Sequence, residues 1–168
     1  MLARPAIERL RLRLPLLWVA PLLFFDQRIK SWALEHLANG ESLPLLPPIL
    51  QLTLVENRGM VFGLLPEQGD VFTVLAIVVA GWLWFAYPRI ATRRLERIGA
   101  VLVLGGALSN ALDRLRYGFV VDFVHVEIPG LLANVSNFAD HALVLGAMLW
   151  LICATQRPQA KMQREGEG

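Results

Sequence analysis

Long uncharged blocks dominate the pattern along this chain. Residues 71–87 (VFTVLAIVVAGWLWFAY) contain no charge at all. A bilayer span needs about 20 mainly apolar residues, so this block with its flanks is long enough to cross. Residues 98–112 and 138–154 are similar but interrupted by polar groups, and 14–25 (LPLLWVAPLLFF) must extend into DQRIKSWAL to cross. The pattern predicts four transmembrane helices, near 14–34, 70–88, 97–115 and 137–155. In the loop 40–69, Pro44, Pro47 and Pro48 break any helix, and LQLTL (50–54) alternates as a half-buried strand does. Gly59 and Gly63 allow sharp turns there. Residues 117–130 (YGFVVDFVHVEIPG) mix apolar positions with Asp122, His125 and Glu127, which suits an interfacial segment better than a fifth span. The expected fold is an all-α membrane protein with a small extracytoplasmic β element and that interfacial segment. It forms one membrane domain over 1–168, with a polar tail at 156–168.

Composition agrees. Hydrophobic residues make up 55% of the chain, above the roughly 45–50% of soluble domains even when Gly is counted there. The net charge of +2 reports topology and not nucleic-acid binding. Arg4, Arg9, Arg11 and Arg13 precede the first span, Arg89, Arg93, Arg94 and Arg97 separate the second and third, and Arg157, Lys161 and Arg164 follow the fourth. These are 11 of the 16 basic residues. The positive-inside rule makes that side, and both termini, cytoplasmic. A secretory signal peptide is the rival reading of the N-terminus, but the apolar run leads into DQRIK instead of a small-x-small cleavage site. Trp18, Trp32 and Trp150 are read as interface anchors. Cys153, the one cysteine, offers neither a disulfide framework nor a metal signature.

Polar groups inside such a chain demand explanation, because ionisable residues at membrane depth are costly and face a bundle interior or a wet cavity. Here they gather at one level, near the outer ends of the spans. Asp26 and Lys30 lie one helical turn apart and can pair. Asn110, Asp113 and Arg114 fall on one face of the third span. Asn137 and Asp140 repeat the i, i+3 spacing at the start of the fourth, Asn57 comes from the β loop, and Asp122 from the segment after the third span. A Ser–Lys dyad would need Ser109 and Lys30, but Asp26 already engages that lysine. Two carboxylates in a low-dielectric pocket share one proton, and such a pair can activate water and protonate an oxygen in turn. Asp122 and Asp140 are the candidates, since Asp26 and Asp113 each have a basic neighbour. A metal site from Asp122, His125, Asp140 and His141 is disfavoured. Adjacent helical residues point about 100° apart, and no HExxH is present.

The ordered set DQRIK, ENRGMVFG (Asn57, Gly59, Phe62), GGALSNALDR, VVDF and NFAD, between four spans, resembles bacterial lipoprotein signal peptidase, also called signal peptidase II. The resemblance covers residues 14–155. It implies an inner-membrane aspartyl peptidase, monomeric and without cofactor, that cleaves a prolipoprotein just before a cysteine already carrying diacylglycerol. Its partners would be that substrate and membrane lipids. It further implies that Asp122 and Asp140 are catalytic and that Asn57, Gly59, Asn110, Asp113, Arg114 and Asn137 shape and polarise the site at the outer face. Asp26 and Lys30 would brace the first span. Two positions depart from the family's habit: Arg58 stands where a small hydroxyl residue is common, and Ser136 where an aromatic precedes the last asparagine. The small residues Gly105, Gly106, Ser109, Ala142 and Gly146 predict close helix packing. The alternatives are a catalytically silent relative that binds lipoprotein, and a small polytopic proton-relay protein. A relay would spread its acids through the depth of the membrane.

Overall fold

The computed structural model describes residues 14–37, 41–59 and 69–166. Arg4, Arg9, Arg11 and Arg13, and the loop positions Met60, Phe62 and Gly63, lie outside the described residues, as do the side chains of Arg157, Lys161 and Arg164. A 3-10 turn, Leu14–Trp18, leads into α1 (Val19–His36). Strands β1 (Ser42–Leu46) and β2 (Leu50–Asn57) follow, then α2 (Gly69–Ile90) and α3 (Arg94–Tyr117). Strands β3 (Val120–Ile128) and β4 (Leu132–Ser136) precede α4 (Phe138–Gly166).

Among the described residues, three helices are long and apolar enough to cross a membrane: α2, α3 and α4. Helix α1 is interrupted by Asp26, Arg28, Lys30 and Glu35. Helix α3 is the central element, with 61% of its length buried against 22% for the apolar stretches of α2 and α4. Those two helices therefore turn most of their apolar surface outward, as a lipid-facing helix does and a soluble one does not. Leu83 and Tyr87 of α2 pack with Ala100, Val101 and Leu104 of α3, and Leu16 closes that cluster.

Local chemistry sets the helix ends. The Glu96 carboxylate accepts from the backbone N–H of Thr92 and of Arg93, each at 2.9 Å, which satisfies donors at the start of α3. Gly118, at φ 78°, ends the helix in the left-handed conformation that glycine adopts without strain. Helices α3 and α4 approach at glycines. A Cβ on Gly146 would stand 2.7 Å from the Gly99 carbonyl oxygen, and Gly106 lies directly against the Ala139 carbonyl. Gly99 was not among the small residues expected to matter. Trp150, read as an interface anchor, packs against Gly99 and donates its indole N–H to the Glu96 carbonyl at 2.9 Å. Cys153 is buried.

The β portion is larger than the pattern predicts. One four-stranded antiparallel sheet runs in the order β1-β2-β3-β4. The segment expected to be interfacial is β3 and its turn into β4. Valine and isoleucine favour the extended backbone, and pairing with β2 outweighs the irregular polarity of VVDFVHVEI. The first half of β3 is buried where it meets the helices, while Glu127 and Ile128 are exposed. Phe123 packs with Ala33 and Leu37, fastening the sheet to α1. A register shift lies between Leu52 and Val55, after which Val55 faces Asp122 and Asn57 faces Val120. Asn57 and Asp122 thus become diagonal neighbours on one face.

Gly146→Val should force the α3–α4 crossing apart and lower stability by about 1–3 kcal/mol, the usual effect of overpacking. Gly81→Ala is its control, since a Cβ there meets nothing within 4 Å. Thermal unfolding of the two variants in detergent measures the difference.

Candidate active site

A buried ammonium organises the polar end of the bundle. The Lys30 Nζ lies 2.8 Å from Asp26 Oδ2, 2.8 Å from Asp113 Oδ2 and 2.8 Å from Asn110 Oδ1. Three donors meet three acceptors, the full capacity of an ammonium. The i, i+4 pair Asp26–Lys30 forms as the spacing predicts. The partner of Asp113 is Lys30 on another helix and not Arg114, its neighbour in sequence. Lys30 has no lone pair to offer Ser109, and the Ser109 hydroxyl donates instead to Asp26 Oδ2 at 2.6 Å.

Each acid in this cluster also ties down backbone. Asp26 Oδ1 accepts from the Ala139 N–H at 2.9 Å, joining α1 to the first turn of α4, where a carboxylate is favoured by free N–H groups and the helix dipole. Asp113 Oδ2 accepts from the Val121 N–H at 3.2 Å, joining α3 to β3. Gln27 donates to Asp113 Oδ1 at 2.6 Å and accepts from Arg116 at 3.0 Å. Sequence reasoning passed over Gln27. Its only signal was its place in DQRIK, next to Asp26 and one turn before Lys30.

Asn137 and Asp140 form a reciprocal cap on α4. The Asp140 N–H donates to Asn137 Oδ1 at 2.9 Å, and the Asn137 N–H donates to Asp140 Oδ2 at 3.3 Å. The i, i+3 spacing is therefore a capping box. The same Asn137 side chain donates through Nδ2 to Asp122 Oδ1 at 2.6 Å. Asn57 donates to Asp122 Oδ2 at 2.8 Å, and accepts the Gly59 N–H at 3.0 Å to hold its own loop. Asn110 donates to Asp140 Oδ1 at 2.7 Å. Three asparagines thus orient two buried aspartates, and Asn110 links one of them to Lys30. Arg114 donates to the Gly59 carbonyl at 2.9 Å, and its buried Nε has no hydrogen-bond partner among the described residues.

Burial, together with the charge of Asp140, pushes the Asp122 carboxyl up to about 7, against the opposing hydrogen bonds of Asn57 and Asn137 and the charge of Lys30. A cavity of about 230 Å³ opens beside Asp140, walled by that residue, Asn57, Asn110 and Arg114 on its polar side and by Leu75, Val79 and Leu143 on its apolar side. The histidines stand elsewhere. His125 bonds Gln51 at 2.8 Å, and His141 bonds Ser136 at 3.1 Å. No group of three or more His, Cys, Asp or Glu side chains suited to a metal occurs among the described residues. Arg58 is exposed beside Glu56, at 3.4 Å.

Known proteins resemble this chain in sequence and in fold. The family model described as "Signal peptidase (SPase) II" matches residues 18–156. A protein named lipoprotein signal peptidase from Pelotomaculum thermopropionicum is 37% identical over 150 residues, covering 88% of this chain and 96% of that one. Its namesake from Halothermothrix orenii is 34% identical over 135 residues, 80% and 90% of the two chains. The Streptococcus pyogenes protein of that name is 32% identical over 142 residues, covering 84% and 92%. A solved bacterial membrane enzyme, determined in meso at 2.3 Å resolution, superposes with a TM-score of 0.78 at 26% identity, covering 88% of this chain and 90% of its own. A second, at 1.9 Å, gives 0.74 at 28% identity over 83% and 91%.

Lys30→Met should strand the Asp26 and Asp113 charges and destabilise the protein by about 3–5 kcal/mol, as breaking a buried ion pair does. Arg58→Ala should change stability by no more than about 0.5 kcal/mol. Thermal unfolding in one detergent compares them.

Proposed function

Because the chain belongs to the signal peptidase II family, we propose that it is an aspartic endopeptidase in which Asp122 and Asp140 are the catalytic pair. It removes signal peptides from prolipoproteins. In this reading the substrate is the diacylglyceryl-modified precursor, cut just before the lipidated cysteine. The observation that carries the assignment is the Asn137 side chain, which accepts from the Asp140 N–H and donates to the Asp122 carboxyl. One amide fixes both acids relative to each other.

The chemistry follows from one proton shared by two carboxyls. The ionised member removes a proton from water as its oxygen bonds to the scissile carbonyl carbon, and the protonated member gives its proton to the carbonyl oxygen. The tetrahedral adduct then collapses: the C–N bond breaks, the nitrogen leaves with a proton from one carboxyl, and a hydroxyl of the adduct gives its proton to the other, which restores the singly protonated pair. Asn57, Asn110 and Asn137 keep the carboxyl planes in place through these exchanges. Lys30 keeps Asp26 and Asp113 as structural acids, so that of the four aspartates joined in this network only two are available for chemistry. The apolar wall of the cavity suits a signal-peptide segment, and its polar wall the scissile amide.

The membrane placement belongs to the same proposal. Helix α1 crosses as a fourth span, with Asp26 and Lys30 turned into the bundle and each about 1% exposed. A single membrane domain then holds the aspartates at the outer face of a bacterial inner membrane, with both termini cytoplasmic.

Asp122→Asn and Asp140→Asn should each abolish cleavage of a diacylglyceryl-modified prolipoprotein in a gel-shift assay while the thermal transition persists. Near-normal turnover by either would refute the pair, and inhibition by EDTA would point to a metal. The pH profile has a defined sign. The pair needs its proton, so turnover should fall on the alkaline side as pH rises through about 7. The contribution of Asp122 to stability runs the same way. Its folded value exceeds an unfolded value of about 3.9, so the contribution is full below that pH and is lost as pH rises through the folded value.

A further inference from the structure

The larger of the two cavities described lies at the other end of the bundle. It measures about 480 Å³ and is walled by Trp18, Arg94, Arg97, Ile98, Val101 and Leu102, where the 3-10 turn ahead of α1 meets the first turns of α3. Arg94 and Asp113 are nineteen residues apart on α3. At 1.5 Å per residue that separates this groove from the acidic cluster by about 28 Å, close to the thickness of a bilayer's hydrocarbon core. The two sites therefore open at opposite interfaces.

Three features set its chemistry. First, two guanidinium groups stand at its rim, and neither forms an ion pair with a carboxylate among the described residues. Arg97 is held in place by neutral oxygens, its Nε 3.2 Å from the Ala91 carbonyl and its Nη2 3.4 Å from that of Thr92. Those contacts position the group through neutral acceptors. Second, the neighbouring Glu96 carboxylate is buried and turned to the backbone and hydroxyl of Thr92 and the backbone of Arg93. Third, the rest of the wall is apolar, and its outer part faces outward: Trp18 is 69% exposed and Ile98 41%. A charged rim above an apolar wall, at the level where a span leaves the bilayer, matches an amphiphile with one phosphate and acyl chains. The volume lies within the usual range of small-molecule sites, about 300–1,000 Å³.

We propose that this groove binds an anionic phospholipid, its phosphate between Arg94 and Arg97 and the start of an acyl chain against Trp18, Ile98 and Leu102. Arginine recognises phosphate by paired N–H donors as well as by charge. The bound lipid fastens the start of α1 to the start of α3 and so supports the bundle from the face opposite the aspartates.

The test uses the full-length protein in neutral detergent, titrated with dioctanoyl phosphatidylglycerol, dioctanoyl phosphatidylcholine or inorganic phosphate. Retained lipid is read by native mass spectrometry, and stability by the thermal transition. Phosphatidylglycerol should be retained about 10-fold more tightly than phosphatidylcholine, given roughly one favourable contact per arginine, and should raise the transition. Arg94→Gln should remove most of that preference, and Trp18→Ala should weaken retention of both lipids. Arg89→Gln, an exposed change at the same end of the bundle, should leave the preference intact. Arg94 and Trp18 lie outside the acidic cluster, so cleavage by these variants in detergent should match wild type. Equal retention of the two lipids would overturn the proposal. So would equal loss on Arg89→Gln, which means surface charge alone, or stabilisation by inorganic phosphate as large as by the lipid. The binding readout needs no turnover. A protein that retains phosphatidylglycerol but never cuts prolipoprotein would refute the proposed peptidase and leave this site standing.

Discussion

A single ammonium buried among carboxylates is the constraint on which the rest of this molecule depends. Lys30 is about 1% exposed, and an unpaired charge at that depth would destabilise the fold by several kcal/mol. Its needs are met only if α1 and α3 pack with Asp26, Asn110 and Asp113 converging on one point. Once they do, each acid can also accept a backbone N–H, Asp26 through its other oxygen and Asp113 through the oxygen that meets Lys30. Asp26 reaches the first turn of α4 and Asp113 the start of β3. One buried charge thereby sets the relative positions of three helices and the sheet.

The reactive geometry is built outward from that point by amides. Asparagine suits the task because one side chain both donates and accepts, and carries no charge to pair with the acids it orients. Asn110 accepts from Lys30 and donates to Asp140, so the structural charge and the reactive carboxyl share a single rigid group. Asn137 caps α4 and holds Asp122 with the same side chain. Glycines at the α3–α4 crossing let the backbones come close enough for these short bonds to form. Packing and chemistry are thus one requirement: a crossing pushed apart there would also separate Asn110 from Asp140.

Much of this could be read from residue order. The uncharged blocks gave the helices to within a few positions at most ends, and the i, i+4 spacing of Asp26 and Lys30 gave their pair. The sheet was half legible. LQLTL alternates cleanly, while β3 carries Asp122, His125 and Glu127 among valines and so looks interfacial. Its first four positions are buried in succession, and a strand covered on both faces loses its alternation. The roles of Gln27 and of the Asn137–Asp140 cap lay in patterns too common to stand out. The cap has the spacing of many polar pairs, and Gln27 acts through contacts more than eighty residues away.

The sequence by itself determined which stretches are apolar enough to enter a membrane and which polar groups gather near one end of them, because both follow from local composition and helical period. Only the tertiary structure decided which of those groups meet. Asp113 sits beside Arg114 in the chain yet pairs with Lys30, since adjacent residues on a helix point about 100° apart and a partner on another helix can lie closer than a covalent neighbour. Asp122 and Asp140 come together for the same reason. A strand register and a helix cap converge on one asparagine, and no local pattern encodes that convergence.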